Sequence, residues 1–150
     1  MTTENSAKTF RVRRIIPVKK ERLFRAWTEP EQVTRWWTIG EGWRAEFAEI
    51  DLRVGGVFTV GNRPRSGEPV LITGKFLEVE PPDRLVYTWR FGPANPEENV
   101  ITVEFRELGE ETEIVVTHEQ ASKAMLAGAV AGWEAALESL KTYSSLTAPR

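Results

Sequence analysis

"VITVEFRELGEETEIVVTHE" (100–119) and the run behind it, Ala121 to Ser145, decide the fold. Ile101, Val103 and Phe105 alternate with Thr102 and Glu104, and Ile114, Val116 and His118 alternate with Glu113, Thr117 and Glu119. A period of two marks antiparallel strands with one apolar face and one wet face. Past His118 the period lengthens. Leu126, Ala129, Val130, Trp133, Leu137 and Leu140 form a single stripe at helical spacing. A helix over 121–145 is about 37 Å long at 1.5 Å per residue. Its economical place is across the apolar face of the preceding sheet.

The alternation extends upstream. In "RLVYTWRF" (84–91), Leu85, Tyr87, Trp89 and Phe91 share one face. "VLITGKFLEVE" (70–80), "GVFTV" (56–60) and "WRAEFAEIDLR" (43–53) read as further strands, and "GNRPRSGEP" (61–69) as a polar loop. Val54-Gly55-Gly56 supplies the positive φ of a tight hairpin, and Pro81-Pro82-Asp83 the next turn. "TFRVRRII" (9–16) is a first strand, ended by Pro17. Leu23, Phe24 and Trp27 recur at helical spacing within 18–27. "TEPEQVTRWW" (28–37) is a second short helix, with Thr28 and Glu31 spaced as a capping box and Pro30 in the first turn. The expected class is α+β, in the order β-α-α-β6-α: a curved antiparallel sheet wrapped around a long C-terminal helix, one domain over 1–150.

Composition narrows the function. No run approaches the roughly 20 apolar residues that span a bilayer, and the amino terminus lacks a signal-peptide layout. No membrane role and a cytoplasmic location are expected. A net charge of -2, with basic runs such as "RVRR" (11–14) diluted by acidic neighbours, gives no reason to expect nucleic acid. Zero cysteines and one histidine remove thiolate nucleophiles, cysteine-zinc sites and two-histidine metal sites. No cofactor and no metal are expected.

"FRVRRIIP" (10–17), "AWTEPEQVTRWW" (26–37), "DLRVGGVF" (51–58), "EPPDRLVYTW" (80–89), "VEFRELGEETEIVVTHE" (103–119) and "GWEAALESL" (132–140) occur in one order. As a set they resemble bacterial proteins related to the activator of heat-shock protein 90 ATPase, within the START-like, polyketide-cyclase-like superfamily. The resemblance covers nearly the whole chain. It implies a helix-grip fold with a cavity between the sheet and the last helix. Activity is not implied, because the superfamily spans lipid carriers, hormone receptors, aromatic cyclases and self-sacrificing resistance proteins.

Four of the six tryptophans fall within residues 27–43. Trp27 continues the Leu23-Phe24 stripe into the core. Trp36 and Trp37 are neighbours and point in different directions on a helix, so one can line a cavity mouth while the other is core. Gly128 and Gly132, with Ala129 nearby, depress the surface of the last helix at about 1 kcal/mol per glycine. Close approach of another element explains this, and so does room for a guest. An apolar void of about 300 Å³ costs on the order of 7 kcal/mol, an upper bound set by cavity-forming mutations. Such a space is filled, wet or occupied.

The candidate ligand-binding residues are Trp36, Trp37, Phe47, Phe58, Tyr87, Trp89, Ile101, Val103, Val116, His118, Met125, Gly128, Ala129, Gly132 and Trp133. Tyr87 and His118 form the inward polar pair that would orient a guest. Asp51 and Arg53 read as turn support, and Arg63 and Arg65 as solvated. Three readings follow. The first is a receptor for a small hydrophobic or aromatic molecule. The second is an interaction module for a chaperone ATPase, resting on the resemblance. The third is a cyclase- or hydrolase-like enzyme with His118 as proton shuttle, for which no activated nucleophile is in view. The chain is expected to act as a monomer or homodimer.

Overall fold

In the computed structural model, residues 8–92, 98–121 and 123–147 are described, the side chains of 8, 120–127 and 147 excepted. The strands are β1 (Lys8–Ile16), β2 (Trp43–Ile50), β3 (Val57–Pro64), β4 (Val70–Glu80), β5 (Arg84–Phe91), β6 (Asn99–Leu108) and β7 (Glu111–Ala121). Helices α1 (Lys20–Thr28) and α2 (Pro30–Trp36) lie between β1 and β2, and α3 (Lys123–Thr147) follows β7. The seven strands form one curled antiparallel sheet in the order β1-β7-β6-β5-β4-β3-β2. The expected α+β architecture is present.

The core follows from the period-two faces. Leu85, Ile101, Val103, Ile114 and Val116 are fully buried on the concave side, where Leu137 and Leu140 of α3 meet them in one cluster. The α3 stripe also presents Trp133 and Ala136 to that cluster. α1 adds Leu23, Phe24 and Trp27, the last packed edge-on against Phe105 at 6.0 Å. Arg14 at the β1 edge is tied to Glu138 of α3 at 2.7 Å.

Three local expectations are corrected. Thr28 does not cap α2: it ends α1, is buried, and its hydroxyl donates to the Phe24 carbonyl at 2.8 Å. The N-cap of α2 is Glu29, whose carbonyl accepts the Gln32 and Val33 N–H groups, with Pro30 in the first turn. Nor does β3 stop at Val60. It runs through Gly61, Asn62 and Arg63, because their polar groups have partners: Arg63 pairs with Glu46, and Asn62 is wholly buried. At the other end of β2, the strand stops at Ile50 rather than at Arg53. Residues 51–56 form the turn, in which Arg53 pairs with Asp51 at 2.9 Å. A Cβ on Gly56 would lie 2.0 Å from the Asp51 carbonyl, so the tight return requires glycine there.

Candidate functional site

The curl of the sheet leaves a cavity of about 300 Å³ under the first half of α3. Gly128, Ala129, Gly132 and Trp133 of α3 form its roof. Trp89 and Phe91 of β5 and His118 of β7 form the floor, and Trp37, Thr38, Ile39 and Trp43 close one side. Gly128 is exposed, so this edge of the roof meets solvent.

Three indoles make the inner wall. Trp89 and Trp133 are 5.2 Å apart between ring centres, Trp37 and Trp89 5.8 Å, and Trp37 and Trp133 6.0 Å, the last pair edge-to-face. These separations are those of stabilising aromatic pairs. Trp37 is held by its indole N–H, which donates to Asn62 Oδ1 at 2.9 Å. The Asn62 amide in turn donates to the Val60 and Val70 carbonyls. The choice between the adjacent tryptophans is thereby resolved. Trp37 lines the cavity, whereas Trp36 is core, 1% exposed, with its N–H on the Ala26 carbonyl at 2.8 Å.

The two helix glycines have different reasons. A Cβ on Gly132 would come within 3.0 Å of the Ile39 carbonyl oxygen, so this glycine admits the segment after α2. A Cβ on Gly128 meets nothing within 4 Å among the described residues. One glycine serves close approach and the other leaves room.

His118 is fully buried and bonded at both ring nitrogens. Trp133 Nε1–H donates to Nδ1 at 2.9 Å, and Nε2 meets Asn99 Oδ1 at 2.8 Å. An indole N–H is only a donor, so Nδ1 carries the lone pair and Nε2–H faces the Asn99 oxygen. The tautomer is set by its neighbours. Phe10 stacks on the ring at 5.0 Å. Burial pushes the pKa of His118 down to about 4, and protonating Nδ1 would set it against the Trp133 N–H. Neither nitrogen is left to take a substrate proton in this arrangement, so a proton-shuttle role finds no support in the geometry.

Tyr87 does not join His118 in one chamber. It lines a second cavity of about 30 Å³ with Phe58, Phe76, Val60 and Trp27, and Trp37 borders both spaces. Tyr87 and Trp89 share a strand face but stand about 6.6 Å apart along it. Burial raises the pKa of Tyr87, opposed by a hydrogen bond with Trp27, so the phenol stays protonated. Phe58 packs edge-on to Tyr87 at 4.9 Å.

Of the other expected residues, Ile101, Val103 and Val116 are fully buried core beneath the cavity rather than its lining. Phe47 is 40% exposed on the convex face, over Gly61, where a Cβ would lie 2.3 Å from its ring. A register shift between Ala45 and Phe47 turns the strand over at that point. Met125 lies in the first turns of α3, among side chains outside the described residues. Thr38, Ile39, Trp43 and Phe91 line the cavity without having been singled out for it. Trp43 belongs to the tryptophan cluster and Phe91 to the inward face of its strand, so both carried a signal. Thr38 and Ile39 sit in an aperiodic segment that carried none.

Among the described residues no group of three or more His, Asp or Glu side chains could hold a metal ion. Nor is any helix long and apolar enough to cross a membrane.

The sequence profile of the activator of Hsp90 ATPase homolog 1-like proteins matches residues 17–145. The chain belongs to this family. Every residue around the larger cavity falls inside the matched span. Among solved structures, a protein of Chromobacterium violaceum is 26% identical, with 95% of this chain and 99% of that one covered, at a TM-score of 0.82. CalU16 of Micromonospora echinospora is 25% identical, with 93% and 77% covered, at 0.70. An AHSA1-like protein of Aeromonas hydrophila, 24% identical with 93% of each chain covered, has the same fold at 0.80. Comparison with curated proteins gives no match.

Proposed function

We propose that this family member binds a small, mostly apolar, flat-ringed molecule in the cavity under α3. The observation that carries the reading is the triad of mutually contacting indoles, Trp37, Trp89 and Trp133, bordering about 300 Å³ of space. That volume lies at the small end of ligand sites, which run from about 300 to 1,000 Å³. The space meets solvent at Gly128, so an apolar guest gains by displacing water from the indole faces. Flat aromatic faces supply affinity to a ring of similar outline, and among the described residues no charged side chain borders the space to demand an ion.

The test is a titration with tricyclic aromatic probes followed by indole fluorescence, since four of the six tryptophans border the cavity. Replacing half-buried Ala129 by Leu puts three more carbons into the same space. Binding should weaken about tenfold or more as contact volume is lost, with the melting transition intact. Undiminished binding by Ala129→Leu would place the site elsewhere.

A second reading, a chaperone-ATPase partner of the kind in the family's description, is favoured by apolar side chains on the convex face. Phe47 covers Gly61, which pairs with Leu71 of β4; these two apolar residues are 40% and 42% exposed. Addition of the protein to a purified Hsp90-type ATPase should raise turnover on this reading, and Phe47→Ser with Leu71→Ser should remove the effect. Unchanged turnover with the unaltered protein removes it.

A further inference from the structure

The polar groups around the cavity have unequal spare capacity. His118 is saturated by Trp133 and Asn99. The single Thr38 hydroxyl proton is shared between the Gly40 and Trp43 carbonyls, and the oxygen accepts the Gly40 N–H. Four of the six indole N–H groups are likewise used: Trp36 on Ala26, Trp37 on Asn62, Trp133 on His118 and Trp27 on Tyr87. The other two belong to Trp89 and Trp43, both of which line the cavity, and neither N–H meets an acceptor among the described residues. Trp89 is the decisive one, being only 7% exposed. A buried donor without a partner is disfavoured, and an indole N–H can only donate.

Resting on the ligand-binding reading above, we propose that the guest carries a neutral hydrogen-bond acceptor, a carbonyl or ether oxygen on an apolar ring system, and that it accepts from Trp89 Nε1–H. Among the described side chains that line the space, two indole donors are unused, whereas the one unused acceptor position is the second lone pair of the Thr38 hydroxyl. A guest whose only polar group is a donor would leave the buried Trp89 N–H without a partner. A carboxylate would be desolvated with no cationic side chain among the described residues that line the cavity to receive it. The chemical class is therefore an aromatic ketone, quinone or cyclic ether.

Three tricyclic probes of one outline separate the cases: fluorene with no polar group, carbazole with a donor N–H, and fluorenone with an acceptor oxygen. Fluorenone should bind about three- to tenfold more tightly than fluorene, the net gain of one hydrogen bond, and carbazole no more tightly than fluorene. In Trp89→Phe the ratio between fluorenone and fluorene should fall to about one; in Trp43→Phe it should persist. On the unaltered protein, the Trp89 Nε1–H resonance should move downfield with fluorenone and not with fluorene, a readout independent of any variant's folding. Equal affinity for fluorene and fluorenone, or a preference that survives Trp89→Phe, overturns the acceptor assignment while leaving the cavity as a binding site. Failure of all three probes to bind overturns both.

Discussion

Alanine at Gly128 and at Gly132 should act on stability in opposite directions, although the two glycines sit four residues apart on one helix. Each replacement gains about 1 kcal/mol of helix propensity. At Gly128 nothing among the described residues lies within 4 Å of the new Cβ, so the gain is kept. A 150-residue chain should then melt about 2–4 °C higher. At Gly132 the Cβ arrives 3.0 Å from the Ile39 carbonyl oxygen and 3.5 Å from its carbon. Those are backbone atoms, and the neighbouring Thr38 hydroxyl pins the segment to the Gly40 and Trp43 carbonyls. Overpacking of this kind costs about 1–3 kcal/mol, so Gly132→Ala should lose up to about 2 kcal/mol net. Paired urea-unfolding curves give both values, the sign of each difference being the result that matters. Equal shifts of the same sign for the two variants would refute the placement of the 38–43 segment against α3, and with it one side of the cavity.

The remaining predictions concern hydrogen bonds, pH and packing. Burial lowers the His118 pKa to about 4 from the 6.5 of an exposed ring, so the unfolded chain takes up the proton first as pH falls. The stability held above pH 6.5 should be lost between about pH 6.5 and 4, by up to about 3 kcal/mol, and His118→Gln should flatten that part of the curve. A nitrogen-correlated spectrum of the imidazole should show Nε2 protonated and Nδ1 bare at neutral pH; the reverse tautomer would contradict the Trp133 bond. Trp133→Phe, which withdraws the donor from Nδ1, should cost about 1–3 kcal/mol in urea unfolding, with a cost near zero speaking against the bond. Gly74→Ala would set a Cβ 1.8 Å from the Thr88 carbonyl and 2.6 Å from the Phe58 ring. That should cost on the order of 3 kcal/mol or more, and near-native thermal stability would contradict the packing of β4 against β5.

Much of the fold was legible because its information is local. The period of two in β5, β6 and β7 and the single stripe on α3 put Trp89, His118 and Trp133 on facing surfaces before any tertiary contact was known. Polar stretches were less legible. Asn62 looks like loop composition, yet it is fully buried because Trp37 is there to donate to it. Phase arguments also fail across a bulge: the shift after Ala45 exposes Phe47, which an unbroken strand would have turned inward. Pairs far apart in sequence were beyond reach. His118 meets Asn99 19 positions upstream and Trp133 15 downstream, and no spacing rule anticipates that chain. The separation of Tyr87 from His118 depends likewise on Trp37, which stands between the two spaces and comes from another element. Gly132 was ambiguous for the same reason, since its partner is the aperiodic segment at Ile39.

The indole region of a proton-nitrogen correlation spectrum tests the ligand-binding claim most directly, because the protein has six tryptophans distributed inside and outside the cavity wall. During titration with fluorenone, the N–H signals of Trp37, Trp43, Trp89 and Trp133 should shift saturably, Trp89 most, while Trp36, which borders neither space, holds still. No saturable shift at any of the four lining indoles, or a shift at Trp36 as large as theirs, would contradict a binding site beneath α3.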